Sequence, residues 1–206
     1  MVAQKSFKSI TTFALSCVML IFVQVDRAFC QQLSGLSIGE SFTQTKLLGF
    51  PPSQLNRSGP FLIAKWDMPD GNFLSVTATA DGVIVFLESN WGYGVSGRFT
   101  DFPGLVFGKT TLAEVRKLTG SNGFCFLSRG CVSDSGSGIV NFNSYGVSGN
   151  NNVVITFITV SDYAMASKDP SNAVLDSIIV GYKPYLNGIW GKEKISDPKY
   201  RPIKLK

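Results

Sequence analysis

Five carboxylates, Asp67, Asp70, Asp81, Glu88 and Asp101, and one cysteine pair, Cys125 and Cys131, are the side chains in this chain best able to do chemistry. The 206 residues contain no histidine. That excludes Ser-His-Asp and Cys-His activation of a nucleophile, a histidine general base and most zinc sites. Glycine-rich stretches occur, but none has phosphate-loop spacing followed by Lys and Ser or Thr. Asp134–Gly138 lacks the alternating carboxylates of a calcium loop. Paired carboxylates need no histidine, because one acid and one base or nucleophile suffice to cleave a glycosidic bond. Asp70 and Asp81 each precede a glycine, which is the signature of a hairpin turn and accounts for both. Asp67 and Glu88 flank strand-like runs and could face each other across a sheet. A secreted carbohydrate hydrolase would use such a pair; solvated cross-strand charges are the plainer and preferred explanation. No catalytic residue, metal ligand or cofactor is assigned on these grounds.

The cysteines bear on compartment. Lys5 and Lys8 precede an apolar run from Ile10 to Val25, and Ala28-Phe29-Cys30 places small residues three and one before a plausible cut. This is the plan of a secretory signal peptide over residues 1–30. The run is short for a bilayer core, which needs about 20 apolar residues, so no stable membrane span is expected after cleavage. Cys17 and Cys30 would leave with the signal, and the remaining pair, Cys125 and Cys131, is read as a disulfide clamping a hairpin. Its spacing is not the Cys-x-x-Cys of a redox-active pair. A periplasmic or secreted protein is expected. Residues 1–30 carry three basic and one acidic residue, so the chain's net charge of +5 falls to +3 without them. The last 16 residues alone carry a net +4, so the rest of the mature chain is close to neutral, and export argues against nucleic acid as a partner.

The elements that must position these residues follow from periodicity and caps. Thr111-Leu-Ala-Glu114 matches a capping box, Leu112, Val115 and Leu118 form an apolar stripe, and Gly120 suits the helix stop. Strand-like runs follow at Phe124–Leu127, Ile139–Tyr145, Val153–Val160 and Val174–Tyr182. An earlier, shorter version occupies residues 38–90, with a helix-like stretch from Ile38 to Gly49 and strands at Phe61–Met68, Phe73–Thr79 and Val83–Glu88. In the middle strand Leu74, Val76 and Ala78 alternate with Ser75, Thr77 and Thr79, giving one buried and one wet face. Self-similarity at roughly 70 residues suggests a duplicated helix-plus-meander unit. The expected fold class is α+β, with two tandem units, each a short helix on a three- to four-stranded antiparallel sheet. Residues 31–90 form the first unit, 91–107 an aromatic and glycine-rich linker, 108–186 the second unit, and 187–206 a basic tail.

This helix-to-meander pattern, repeated across about residues 35–182, resembles the tandem domains of the β-lactamase inhibitor protein family. Small outer-membrane lipoproteins of the SmpA/OmlA type are similar within a single unit. The resemblance implies a concave sheet surface that grips a partner protein. No inhibitory contact residue matches a position here, so β-lactamase inhibition is not implied. The linker carries the residue types enriched at binding hot spots: Trp91, Tyr93, Arg98 and Phe99. Either they face outward and bind, or their rings fill the seam between units. The cluster Tyr182–Leu186 with Ile189-Trp190 has the same two readings, binding or docking of a C-terminal segment on the sheet. The expected function is an exported, non-catalytic protein-binding or envelope-associated module with a protein partner in the cell envelope. A carbohydrate hydrolase and a purely structural envelope protein are the alternatives.

Overall fold

A computed structural model describes residues 32–92, 97–126, 131–134, 136, 138–195 and 197–203. The signal-peptide expectation for residues 1–30 and the binding role expected of Tyr93 fall outside the described residues.

The chain is mostly antiparallel sheet. A ribbon of β1 (Gln32–Leu33) and β2 (Leu36–Ser37) precedes a 3-10 helix, Phe42–Leu48. The first meander follows as β3 (Gln54–Ser58), β4 (Phe61–Asp67), β5 (Phe73–Thr79) and β6 (Ile84–Asn90). Helix α1 (Leu112–Thr119) leads to β7 (Phe124–Phe126), β8 (Val132–Asp134), β9 (Ile139–Val147) and β10 (Asn150–Ser161). Helix α2 (Tyr163–Lys168), β11 (Val174–Tyr182), α3 (Lys183–Trp190) and β12 (Glu193–Ile195) complete it. Ten strands form one sheet in the order β12-β7-β9-β10-β11-β6-β5-β4-β3, with β8 also paired to β9.

The expectation of two helix-on-sheet units is therefore corrected. Strand β6 pairs antiparallel with β11, Val180 opposite Leu87 and Ile179 opposite Glu88, so the two meanders are halves of a single sheet. In separate units both strands would be edges, with unpaired amides and carbonyls along apolar backbone. Pairing them removes both edges. The helical content is also smaller than the duplicated pattern implies. Residues Phe42–Leu48 close only as a 3-10 helix, with the Ser41 hydroxyl accepting from Thr43 N at 3.3 Å and Gly49 left-handed at its end. Helix α1 does carry its capping box. Thr111 N donates to Glu114 Oε2 at 2.7 Å and Glu114 N to the Thr111 hydroxyl at 3.3 Å. Those bonds hold the Glu114 carboxyl below its usual range and fix its role as a cap.

The cysteine pair is disulfide-bonded, with Cα atoms 5.0 Å apart. It does not clamp a hairpin. Phe124 pairs with Ser144 and Val132 with Asn141, so β7 and β8 both run antiparallel to β9 and follow each other along the same edge of it. The bond pinches the neck between two parts of one interrupted strand.

One face of the sheet buries a core that runs through both halves, from Trp66, Leu74 and Leu87 to Tyr145, Phe157 and Val180. The crossing segment supplies Phe102, Leu105 and Phe107 to it, α1 supplies Val115, and the C-terminal segment supplies Ile203. Leu118, the last member of the expected stripe, is exposed. On the opposite face α3 lies over the second half, where Leu186 and Trp190 are buried with Phe124, Phe126, Val154 and Ile179. Gly181 permits this close approach, because a Cβ there would stand 2.8 Å from the Leu186 side chain. Among the described residues no helix is long and apolar enough to cross a membrane.

Candidate functional site

Helix α3 covers half of its face and leaves the other half open. There the register of β4, β5 and β6 lays out three rows: Asp67-Phe73-Asn90, Lys65-Ser75-Glu88 and Ile63-Thr77-Phe86. The nine side chains share one face because alternate residues of a strand point the same way. With Ser53 and Gln54 they line a trough of about 560 Å³. The hollow follows from size. Strand β5 contributes the small Ser75 and Thr77 to the floor; the expected wet face is corrected there, because both are buried between longer side chains on β4 and β6.

The two ends of the trough differ. At one end Tyr185 of α3 packs edge-on against Phe86 and Phe61, with ring centroids 5.9 and 5.0 Å away. Burial pushes its phenol upward, and a hydrogen bond with Thr77 partly offsets that. At the other end Phe73 is 43% exposed, which is unusual for a ring on a sheet strand and leaves its apolar surface available. Asn90 beside it is held by the Ser177 hydroxyl at 2.6 Å, and that hydroxyl also donates toward Asp176 Oδ2 at 2.8 Å. This end abuts Trp91-Gly92, where the chain leaves β6 against the β4–β5 turn. Gly92 N donates to Asn72 Oδ1 at 3.4 Å, and any side chain on Gly92 would collide with the Gly71 carbonyl.

Asp67 and Glu88 both line the trough, but they are not opposite each other. They lie two strands and two residues apart, which is about 12 Å between Cα atoms at ordinary sheet spacing. Phe73 and Asn90 share the row of Asp67; Ser75 and Lys65 share that of Glu88. Asp70 is held within its turn, accepting from Asn72 N at 3.0 Å and Asn72 Nδ2 at 2.8 Å. Asp81 accepts from the Thr79 hydroxyl beside its own turn. Asp101 lies elsewhere, accepting from Ser34 N at 3.1 Å. Among the described residues no group of three or more His, Cys, Asp or Glu side chains could hold a metal ion.

The residues expected to bind are dispersed. Trp91 is half-buried against the core, its ring lying where a side chain on Gly108 would go, and its amide donates to Asp176 O at 2.7 Å. That is seam packing. The Arg98 guanidinium lies against Gly71 in the β4–β5 turn. Phe99 is 83% exposed on an isolated bridge with Val106. The cluster in α3 is docked on the sheet through Leu186 and Trp190, the second of its two readings. Sequence reasoning missed Lys65, Phe73, Ser75 and Asn90. The alternating Ser75 and Thr77 of β5 were the available signal for the floor, and only the neighbouring strands in register turn them into a lined trough. Comparison with family models, curated proteins and solved structures found no match.

Proposed function

We propose that this is an exported, non-catalytic binding module that holds its partner against the open half of its sheet. The observation that carries this reading is the unequal cover of one face. Helix α3 seals the second half, while the first half keeps a trough with an exposed aromatic ring and a grid of polar side chains. Export is supported by the N-terminal pattern and by the cysteine pair at disulfide distance. Trp91 then acts as a support for the trough's rim.

The test is saturable capture of a partner from envelope extract by the purified, disulfide-bonded protein, compared with Phe73→Ala. Loss of capture in the variant, with melting unchanged, is the expected result. Equal capture by both would remove the trough from the function. The hydrolase reading retains one observation, that Asp67 and Glu88 line the same trough. It requires turnover of a glycan that Glu88→Gln abolishes.

A further inference from the structure

We infer that the trough takes a neutral glycan, with one pyranose ring seated on Phe73 between Asp67 and Asn90. This rests on the reading that the trough is the binding surface, and it names the chemistry of the ligand. Cross-strand neighbours stand about 4.5–5.5 Å apart, so a carboxylate and a carboxamide flank the exposed ring at that spacing on either side. A pyranose has an apolar face of C–H bonds and a rim of hydroxyls. The face suits an aromatic surface. The hydroxyls can donate to a carboxylate and both donate to and accept from a carboxamide. The Ser177 hydroxyl, shared between Asn90 Oδ1 and Asp176 Oδ2, restrains that carboxamide before any ligand arrives, which lowers the ordering cost of binding.

The next row continues the pattern. Lys65 and Ser75, in one row with Glu88, offer a donor and a hydroxyl about 6.8 Å farther along the strands, so a short oligosaccharide would be contacted at successive units. The volume lies within the range of ordinary ligand sites.

Charge narrows the class. The trough holds Lys65, Asp67 and Glu88, so an acidic glycan or a phosphate would bring its charge beside the Asp67 carboxylate that flanks the ring, and a strongly basic peptide would meet Lys65. A neutral polyhydroxylated ligand satisfies all three by hydrogen bonds. An apolar helix laid here would bury Lys65, Asp67, Ser75 and Glu88 without replacing their water, a large penalty for charged groups.

The experiment is calorimetric titration of the purified, disulfide-bonded protein with neutral oligosaccharides from glucan, chitin, mannan, xylan and galactan, with oligogalacturonate as the acidic counterpart. The expected result is binding of at least one neutral member, weakened tenfold or more by Phe73→Ala and by Asn90→Ala, and retained by Phe73→Tyr and by Phe99→Ala. Circular dichroism and melting establish that each variant is folded. Binding unaffected by Phe73→Ala, preference for the acidic ligand, or no binding across the panel each overturns the inference. In the last case a protein captured through Phe73 would leave the binding-module reading standing. Failure of both capture and titration would remove both.

Discussion

Asp197 shows how one side chain ties the end of the chain to the fold. Its Oδ2 accepts from the Ser121 hydroxyl and from Asn122 N, both at 2.9 Å, and its Oδ1 from Lys199 N at 2.8 Å. The backbone bond from Asn122 is the largest influence on the carboxyl, followed by those from Lys199 and Ser121, and together they hold its pKa below the usual 3.8. A carboxylate whose folded pKa is depressed adds stability above its unfolded pKa and loses it as pH falls through the folded value. Asp197→Asn is therefore expected to be less stable than the parent at pH 7, with the gap closing below about pH 4. Urea unfolding at pH 7 and pH 2.5 checks this; a gap that persists unchanged in acid would mean the charge is irrelevant. The neighbouring segment adds its own ties to the sheet: the Tyr200 hydroxyl accepts from Gly146 N at 2.6 Å and Ile203 N donates to Gly146 O at 2.8 Å.

Elements are held in this molecule by edges more than by helices. The edge formed by β7 and β8 is interrupted, and the disulfide between Cys125 and Cys131 spans the interruption. Closing so short a loop restricts the unfolded chain by an amount worth about 2 kcal/mol. The double variant Cys125→Ser/Cys131→Ser is expected to lose about that much in denaturant unfolding. Hydrogen exchange should rise first along β7, β8 and β12, because β12 pairs only with β7 in this sheet, Lys194 opposite Cys125. Protection unchanged on β12 would show that its packing with α3, including the Lys183–Glu193 ion pair, suffices without the bond.

For the whole molecule, the junction of β6 with β11 turns two similar stretches into one structure. The core on the covered face is continuous across that junction, and the crossing segment with Phe102, Leu105 and Phe107 packs into it. Neither half has a separate core on that face. Thermal and urea unfolding are therefore expected as one transition, coincident for probes in each half. Trp66 in β4 and Trp190 in α3, kept singly, report the two halves. Separate midpoints would mean that the halves fold independently despite their shared strand pairing.

Much of the local structure was legible in the residues alone. The capping box at Thr111 and Glu114, the turn glycines Gly71 and Gly82, and the closely spaced cysteine pair all act within a few residues. Hydrogen-bond geometry and sterics decide them without reference to the rest of the chain. Strand β3, Gln54–Ser58, was not legible, since its polar sequence becomes a strand only by pairing with β4. What the tertiary structure decided was the meeting of strands far apart in sequence. Asn90 lies opposite Ser177 across 87 residues, and no local preference selects β11 as the neighbour of β6 over solvent or another edge. That pairing made one sheet, directed α3 onto one half of its outer face, and left Phe73 exposed between Asp67 and Asn90. The side chains of the trough are ordinary strand residues, with the small Ser75 and Thr77 buried at its floor. Their grouping into one trough depends on register and on cover, and both are settled by burying apolar surface and satisfying backbone groups across the whole chain.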